Sequence, residues 1–474
     1  MNKRETQPRF ANANSTAVPI DIVKPGSPFQ AISNRIEEAN AAGANWLRST
    51  SFQCVDGQFA LLPDAEGRPE RVVACLPAKR ERLSGDLLGA RLFEALPPGN
   101  YCLPKQFLER NFGEIALAAL FAQYRLPADA TRQTLSHECA RVQMPSGPET
   151  TKALCIAQSE FLCRDLINLP ASSMGPEELE AAAERVASEF GARMTVTAGR
   201  QLLDQDLPMI HAVGRGAEQE PRLLDISWGD SGPEIVLIGK GVCFDSGGLN
   251  VKSFAGMRHM KKDMAGAATA LALARCIMAL ALPLRLRVLI PAVENAISGN
   301  VMRPGDILNS RKGLTVEIVS TDAEGRLVLA DAMSLAEESS PDLIVTFATL
   351  TGAARIALGA DMPAFFSTDA GLVERVMRHA AATRDPVWHM PLWKPYRSLL
   401  KSKVAHIANA SESGLAGAIT AALFLEEFLS GTCSFMHFDM FGWSDGKSSG
   451  YTAGGKGQVY RALLSLFENW PNEK

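Results

Sequence analysis

The stretch Thr315-Val-Glu-Ile-Val-Ser-Thr-Asp-Ala-Glu-Gly-Arg-Leu-Val-Leu-Ala330 decides how the chain is read. Thr315 to Ser320 alternate apolar and polar residues and are rich in β-branched side chains, which predicts a strand. From Leu327 the run LVLADAMSLAEES places helix formers at helical spacing, which predicts a helix. Asp322, Glu324 and Arg326 stand between the two. A strand, an acidic turn and a helix in that order put these side chains where open α/β sheets hold their ligands, at the carboxyl end of a strand. Two acids and a guanidinium so close together call for a metal or an anion. The competing reading is a capping box, with Thr321 capping the helix and Glu324 reaching back. The chain supplies its own control. Asp64-Ala-Glu-Gly-Arg68 repeats the pentapeptide of Asp322 to Arg326, but Pro69 follows it and short apolar runs flank it, which predicts a hairpin turn. The five letters therefore carry chemistry only through the strand before them and the helix after them.

Working outward, the same rhythm extends on both sides. A helix is predicted over Pro176–Phe190, followed by strands MTVTA and RLLDISW. Glu234-Ile-Val-Leu-Ile-Gly239 is almost wholly apolar, as a strand buried on both faces must be. A helix from Asp263 to Leu280, a strand from Leu284 to Pro291, a strand from Asp342 to Thr349 and a helix beyond Gly352 complete the alternation. Strands alternating with helices predict an α/β fold with a mixed, mostly parallel sheet flanked by helices. Upstream, residues 1–18 read as a flexible arm, and residues 19–148 as a small α/β domain closing at Pro145-Ser-Gly-Pro148. Residues 149–170 read as a linker helix and 171–474 as the large catalytic domain.

Composition narrows the class. The 474 residues are 46% hydrophobic, enough for buried cores, and the net charge of −4 makes no electrostatic case for nucleic acid or an anionic membrane. The basic amino end is followed by no apolar segment, so no secretory signal is read there. The greasiest helix, near Ala265 to Leu284, is broken by Arg275 and Pro283 and is too short to span a bilayer. Nine cysteines without a C-x-x-C pair argue for a reducing, cytoplasmic setting and against disulfides or zinc–thiolate sites. Cys243 reads as a small buried residue.

Chemistry-bearing residues gather at three predicted strand ends. The first is Gly239-Lys-Gly-Val-Cys-Phe-Asp-Ser-Gly-Gly248, running on to Lys252. It lacks the residue order of a phosphate-binding loop. The second is the acidic turn, and the third is Thr349-Leu-Thr-Gly-Ala353. Asp263 adds a carboxylate at a helix start, where a plain N-cap is the competing role. In a parallel sheet Asp245, Asp263, Asp322 and Glu324 converge with Lys240 and Lys252. Crowded buried carboxylates repel one another and take up protons unless cations intervene. A histidine-free oxygen set suits Mn²⁺, Mg²⁺ or Zn²⁺, and the oxygens suffice for two ions about 4 Å apart. No H-E-x-x-H is present, which argues against a zincin mechanism. His437 and Asp439, in Phe435-Met-His-Phe-Asp-Met440, read as members of a core strand.

These motifs resemble the leucine aminopeptidase (cytosol aminopeptidase) family. Lys240-Gly-Val-Cys-Phe-Asp-Ser-Gly-Gly248, Lys252, Met260-Lys-Lys-Asp263, Arg303-Pro-Gly-Asp306 and Thr321-Asp-Ala-Glu-Gly-Arg-Leu327 match in order and separation over about residues 150–474. The resemblance implies an aminopeptidase that releases amino-terminal, leucine-like residues from peptides with two divalent ions, Mn²⁺ or Zn²⁺. It implies Lys240 and Asp263 on one ion, Asp322 on the other, and Asp245 and Glu324 as bridges. Lys252 and Arg326 match the family's catalytic pair. Ala323, Gly325 and Leu350 would offer backbone groups near a bicarbonate held by Arg326. A cytoplasmic homohexamer is implied as well. Ser320 departs from the family's usual Asn, and Ala410-Ser-Glu-Ser-Gly-Leu-Ala-Gly417 is poorer in glycine and proline than its counterpart. Burial and a metal must depress the Lys240 amine if it is to ligate, while Lys252 must stay charged. Met260 is expected against the first side chain of the substrate. The alternatives are another two-metal hydrolase, such as a phosphoesterase, and a non-enzymatic DNA-binding or structural role as a hexamer.

Overall fold

The computed structural model describes residues 7–37, 41–50, 52–55, 57–76, 87–126, 138–446 and 451–470. The chain forms two compact units. One comprises Met1–Phe161 with Asp445–Thr452, the other Leu162–Ser444 with Ala453–Lys474. The division falls inside the helix Pro148–Asn168.

The first unit is built on a five-stranded sheet in the order Phe59–Pro63, Pro69–Cys75, Val18–Val23, Gly99–Cys102, Ala140–Val142. All neighbours run parallel except the first two, which form a hairpin. Its turn is the control pentapeptide. The Asp64 amide donates to the Arg68 carbonyl at 2.8 Å, and the Asp64 carboxylate accepts from the Glu66 and Arg68 amides. The acid is spent on its own turn, as the flanking apolar runs predicted. Of the expected arm, residues 1–6 lie outside the described residues. Beyond them the Arg9 amide donates to Gln123, and Ala11 bridges to Gln143. One expectation is overturned. Cys54 and Cys75 form a disulfide, with Cα atoms 5.5 Å apart. The hairpin brings the end of Pro69–Cys75 beside residues entering its partner strand, so two cysteines 21 positions apart meet without any spacing motif.

The second unit carries a mixed sheet. Its order is Trp388–His389, Ala364–Ser367, Ser434–Asp439, Leu343–Ala348, Glu234–Gly239, Arg285–Asn295, Arg222–Trp228, Arg193–Ala198, with Gly241–Asp245 also paired to Arg285–Asn295. The central strands are parallel, and antiparallel pairs lie toward both sides. Glu234–Gly239 is buried from Ile235 onward, and Leu343–Ala348 is buried throughout. Such strands can only be apolar, because both faces meet helices. The helix Ala265–Ala279 buries nearly its whole circumference, which explains a greasy segment that is no membrane span. Among the described residues no helix is long and apolar enough to cross a membrane. The start of this helix presses onto the strand ends. A Cβ on Gly266 would lie 2.1 Å from the Phe347 carbonyl oxygen, so only glycine fits there. The same approach lets the Ala267 amide bond the Lys240 carbonyl and the Lys240 amide bond the Phe347 carbonyl, each at 2.9 Å.

The acidic stretch departs from expectation in two ways. The strand spans only Thr315–Glu317, and it lies in a separate three-stranded sheet with Ile307–Asn309 and Ile407–Ala408. It stops early because Asn409 Oδ1 takes the Val319 and Ser320 amides, which a strand partner would need. The helix begins at Gly325 rather than Leu327.

Candidate metal centre

The capping box does not form. Glu324 sits at the helix N-cap in helical conformation without a side-chain capping bond. Thr321 instead donates its hydroxyl to the Gly247 carbonyl at 2.6 Å and accepts from the Asn250 amide at 2.8 Å. It thereby ties the acidic turn to the glycine-rich loop that follows Asp245. Asp263 is no N-cap either, since Met264 holds that place before Ala265–Ala279. Its carboxylate is held by the Thr349 hydroxyl at 2.6 Å. The glycine-rich loop is not an anion cradle: the Gly247 amide bonds Asp245 Oδ1 and the Gly248 amide bonds the Ser246 hydroxyl. The Gly247 amide thereby aims Asp245, whose Oδ1 also accepts from Asn295 Nδ2 at 2.8 Å.

These supports bring the carboxylates together. One oxygen from each of Asp245, Asp322 and Glu324 lies within 4.8 Å of the other two. Asp263 joins through Lys240, whose Nζ is 2.7 Å from Asp263 Oδ2 and 2.9 Å from Glu324 Oε1. Lys252 Nζ pairs with Asp245 Oδ2 at 2.7 Å and with Asp322. Gly325 makes room for Lys240, because a Cβ there would stand 2.5 Å from Lys240 Cε. Asp245, Asp263 and Glu324 are buried, while Asp322 faces the outside. Glu324 Oε2 has no hydrogen-bond partner and Oε1 meets only the Lys240 ammonium, although both are shielded from solvent.

Charge follows from this crowding. Burial, reinforced by Asp245 and Asp263, pushes the Glu324 carboxyl up to about 7 against the pull of Lys240 and Lys252. Asp322 is raised by burial and by Asp245, with Lys252 opposing. Burial works on Asp263 in the same direction, but Lys240, Lys262 and Lys252 outweigh it and hold that carboxyl low. Lys240 differs from expectation. Burial lowers it, yet Asp263, Glu324 and Asp245 together raise the ammonium above the ordinary lysine value. Left to itself the lysine is the counter-ion of three acids. It becomes a neutral amine only if a stronger positive charge takes that role. Lys252 is likewise raised, Asp245 and Glu324 overcoming burial, and so keeps its charge. A carboxyl raised as far as Glu324 and two doubly paired lysines are what a carboxylate cluster shows when divalent cations are its proper partners. The unpartnered, buried Glu324 Oε2, grouped with oxygens of Asp245 and Asp322, fits such ions.

Beside the acids lies an anion-compatible corner. Arg326 is buried and donates Nη1 to the Asn409 carbonyl at 2.7 Å, while its Nε has no partner. Burial lowers its guanidinium to about 10. Gly325 opens the helix, where amides lack partners within the helix. The Ala323 amide makes only a 3.3 Å bond to the Ser320 carbonyl. Leu350 departs from expectation: its amide already donates to Asp439 Oδ1 at 3.0 Å, so that donor is not open to an anion.

Four residues support the site in roles the sequence did not assign: Asn295 and Asn409 stood in no motif, Thr349 was noted only at a strand end, and Asp439 was read as core. Asn295 joins Asp245 to the Thr321 carbonyl. Thr349 holds Asp263, and its carbonyl accepts from Lys240 Nζ at 3.3 Å. Asp439 accepts from the Leu350 and Thr351 amides and from the Thr351 hydroxyl. Asn409 binds the acidic turn through both ends of its amide. The expected loosening at Ser320 is offset here, because Asn409 grips that residue's amide and carbonyl and the Ser320 hydroxyl accepts from the Asp322 amide. His437 is a core residue whose Nδ1 meets the Thr346 hydroxyl at 2.8 Å. Cys243 is buried, and burial raises its thiol, as a packing role requires.

Comparison with known proteins agrees with this geometry. Residues 161–464 match the model described as the cytosol aminopeptidase family, catalytic domain. Residues 18–145 match the M17 aminopeptidase N-terminal domain. A "Probable cytosol aminopeptidase" of Chlorobaculum tepidum is 40% identical over 412 residues, covering 85% of this chain and 76% of the relative. One of Legionella pneumophila is 34% identical over 434 residues, covering 87% and 88%. The crystal structure of a cytosol aminopeptidase from Coxiella burnetii superposes with a TM-score of 0.89 at 39% identity, covering 96% of this chain and 98% of that one. The bottromycin maturation enzyme BotP in complex with Mn superposes at 0.85 with 29% identity, covering 96% and 100%.

Proposed function

The chain belongs to the cytosol aminopeptidase family, a family of metal-dependent aminopeptidases, and from that premise we propose the residues and chemistry by which it cleaves peptides. The observation that carries the reading is the meeting of Asp245, Asp322 and Glu324, with Glu324 Oε2 buried and without a hydrogen-bond partner. In this reading Asp245, Asp263, Asp322, Glu324 and a neutral Lys240 hold two divalent ions, Mn²⁺ or Zn²⁺. Such ions would supply a water acidic enough to deliver hydroxide near neutral pH and a docking point for a free amino terminus.

The chain's own residues do the rest. Lys252 keeps its charge and is the electrophile that polarises the scissile carbonyl and steadies the developing oxyanion. Its pairing with Asp245 and Asp322 sets its ammonium among the acids. Arg326, with its unpartnered Nε and the Ala323 and Gly325 amides nearby, holds bicarbonate. A proton leaving the attacking water is accepted there. Met260 heads the turn that carries Asp263 and supports contact with a leucine-like first side chain. The family resemblance supports a cytoplasmic homohexamer, and light scattering that returns a monomer mass would reject the assembly.

The test is a panel of aminoacyl-anilides assayed with Mn²⁺, Zn²⁺ and Co²⁺, alongside elemental analysis. Hydrolysis with about two ions per chain is expected. Hydrolysis that survives exhaustive chelation would overturn the two-metal reading.

A further inference from the structure

A groove of about 310 Å³ opens in the second unit between the short helix Lys394–Leu400, the strand Ile407–Ala408 and the residue that follows the helix Gly417–Glu426. That volume falls at the lower end of small-molecule sites, about 300–1,000 Å³. None of the acids or lysines of the metal centre lines it. Its floor is apolar: Leu400 and Ile407 are buried members of the main core, and Leu314 packs against that core.

The rim is charged. Arg397 Nε pairs with Glu427 Oε1 at 2.8 Å, and its Nη2 pairs with Glu426 at 3.1 Å. Lys401 is exposed, and among the described residues it has no ion pair and no hydrogen bond. The lining therefore holds two cations, Arg397 and Lys401, against the single anion Glu427. One Glu427 oxygen serves Arg397, and a carboxylate has lone pairs for further donors. His406 also lines the groove. Its Nδ1 accepts from the Thr315 amide at 3.0 Å and meets the Thr315 hydroxyl at 2.7 Å. A ring nitrogen that accepts an amide carries no proton, so in the neutral ring the proton is on Nε2, which is a donor. An occupant that suits this lining has a carboxylate for Lys401, an ammonium for Glu427 and an apolar body for the floor.

One wall of the groove leads to the metal centre. Ile407 and Ala408 pair with Val316 and Glu317, between a 3.1 Å bond from the His406 amide to the Thr315 carbonyl and a 2.9 Å bond from the Asn409 amide to the Glu317 carbonyl. Asn409, the next residue, grips the turn that carries Asp322 and Glu324 through the Val319 amide and the Ser320 carbonyl. An occupant that binds only when this wall is in place stabilises the wall, and with it the grip of Asn409.

We propose that the groove is a second binding site, which takes a free amino acid with an apolar side chain and thereby tightens the metal centre through Asn409. The inference rests on the aminopeptidase reading in one respect, that such amino acids are what the reaction releases.

Calorimetric titration of the Mn²⁺-loaded chain tests the site, with excess acetohydroxamate present to occupy the ions. Leucine should bind at least about threefold more tightly than leucinamide, which lacks the carboxylate, and than isocaproate, which lacks the ammonium. Lys401→Met should abolish the advantage over leucinamide, and Glu427→Gln the advantage over isocaproate. Lys401 is exposed and unpaired, so its variant should melt with the wild type. Equal affinities for the three ligands, or a leucine affinity unmoved by Lys401→Met, overturn the site. Without acetohydroxamate, saturating leucine should raise the affinity for Mn²⁺ at least about threefold in the wild type and leave it unchanged in Lys401→Met. A Mn²⁺ affinity that leucine does not alter in the wild type overturns the link to the metal centre. A chain that hydrolyses no aminoacyl-anilide with any metal overturns the aminopeptidase reading instead, and these titrations still decide the site.

Discussion

Asn409 offers the sharpest test of how the acidic turn is held. It is fully buried, and its side chain makes four hydrogen bonds to the backbone of the turn. Two are short, 2.8 Å from the Val319 amide and 2.6 Å to the Ser320 carbonyl. Two are longer, 3.2 Å from the Ser320 amide and 3.3 Å to the Ala323 carbonyl. Asn409→Ala removes all four. The two short bonds are worth about 1 kcal/mol each in net terms, and stranding half-buried backbone groups adds about 1–2 kcal/mol, for a loss of about 3–4 kcal/mol. For a unit of this size that corresponds to a fall in Tm of about 5–10 °C. The turn also carries Asp322 and Glu324, so metal affinity should drop about 10- to 100-fold, as when residues orienting ligands are lost. Scanning calorimetry and metal content after dialysis against buffered Mn²⁺ measure the two effects. Asn300→Ala is the control, since that exposed side chain makes one bond, to the Arg215 carbonyl. Its cost should stay below about 1 kcal/mol. If Asn409→Ala melts within about 2 °C of the wild type and keeps its metal, Asn409 does not hold the turn and the reasoning fails.

The remaining expectations are briefer. Lys252→Ala should cut aminoacyl-anilide turnover by about 10²–10³ while metal content changes far less, and near-normal turnover would remove the electrophilic role. Asp322→Asn should lose metal, because it takes a charged oxygen from the cluster; full occupancy by elemental analysis would dismiss it as a ligand. Asp331 is a buried acid away from the site. It accepts from the Met209, Arg311 and Ile210 amides at 2.8, 2.9 and 3.4 Å, and burial pushes it up to about 7. Because its carboxyl is raised on folding, its contribution to stability is complete below about pH 4 and is lost as pH rises through 7. The stability of the wild type relative to Asp331→Asn should therefore fall between pH 4 and 8 by an amount on the order of 4 kcal/mol. A difference that is flat with pH would show that the three backbone donors, not burial, set its charge.

What the sequence determined by itself was everything with a local physical signature. Glu234–Gly239 is legible because a strand covered on both faces must be apolar. The Asp64 turn is legible because proline and paired apolar runs leave the chain little choice but a hairpin. The acids themselves could be named, since only carboxylates bring several anionic oxygens to strand ends. What only the tertiary structure decided depends on residues distant along the chain. Thr321 fitted a local capping box, yet its hydroxyl went to Gly247, 74 positions away. The strand leading to Asp322 ended early and left the main sheet because Asn409 took its amides from 90 positions away. Cys54 and Cys75 met only because a hairpin folded. The charge of Lys240 was settled the same way, since Asp263, Glu324 and Asp245 set the potential at its ammonium. Hydrogen bonds and Coulomb fields act through space, so a chain read one window at a time shows which groups it has, while the fold selects which of them meet.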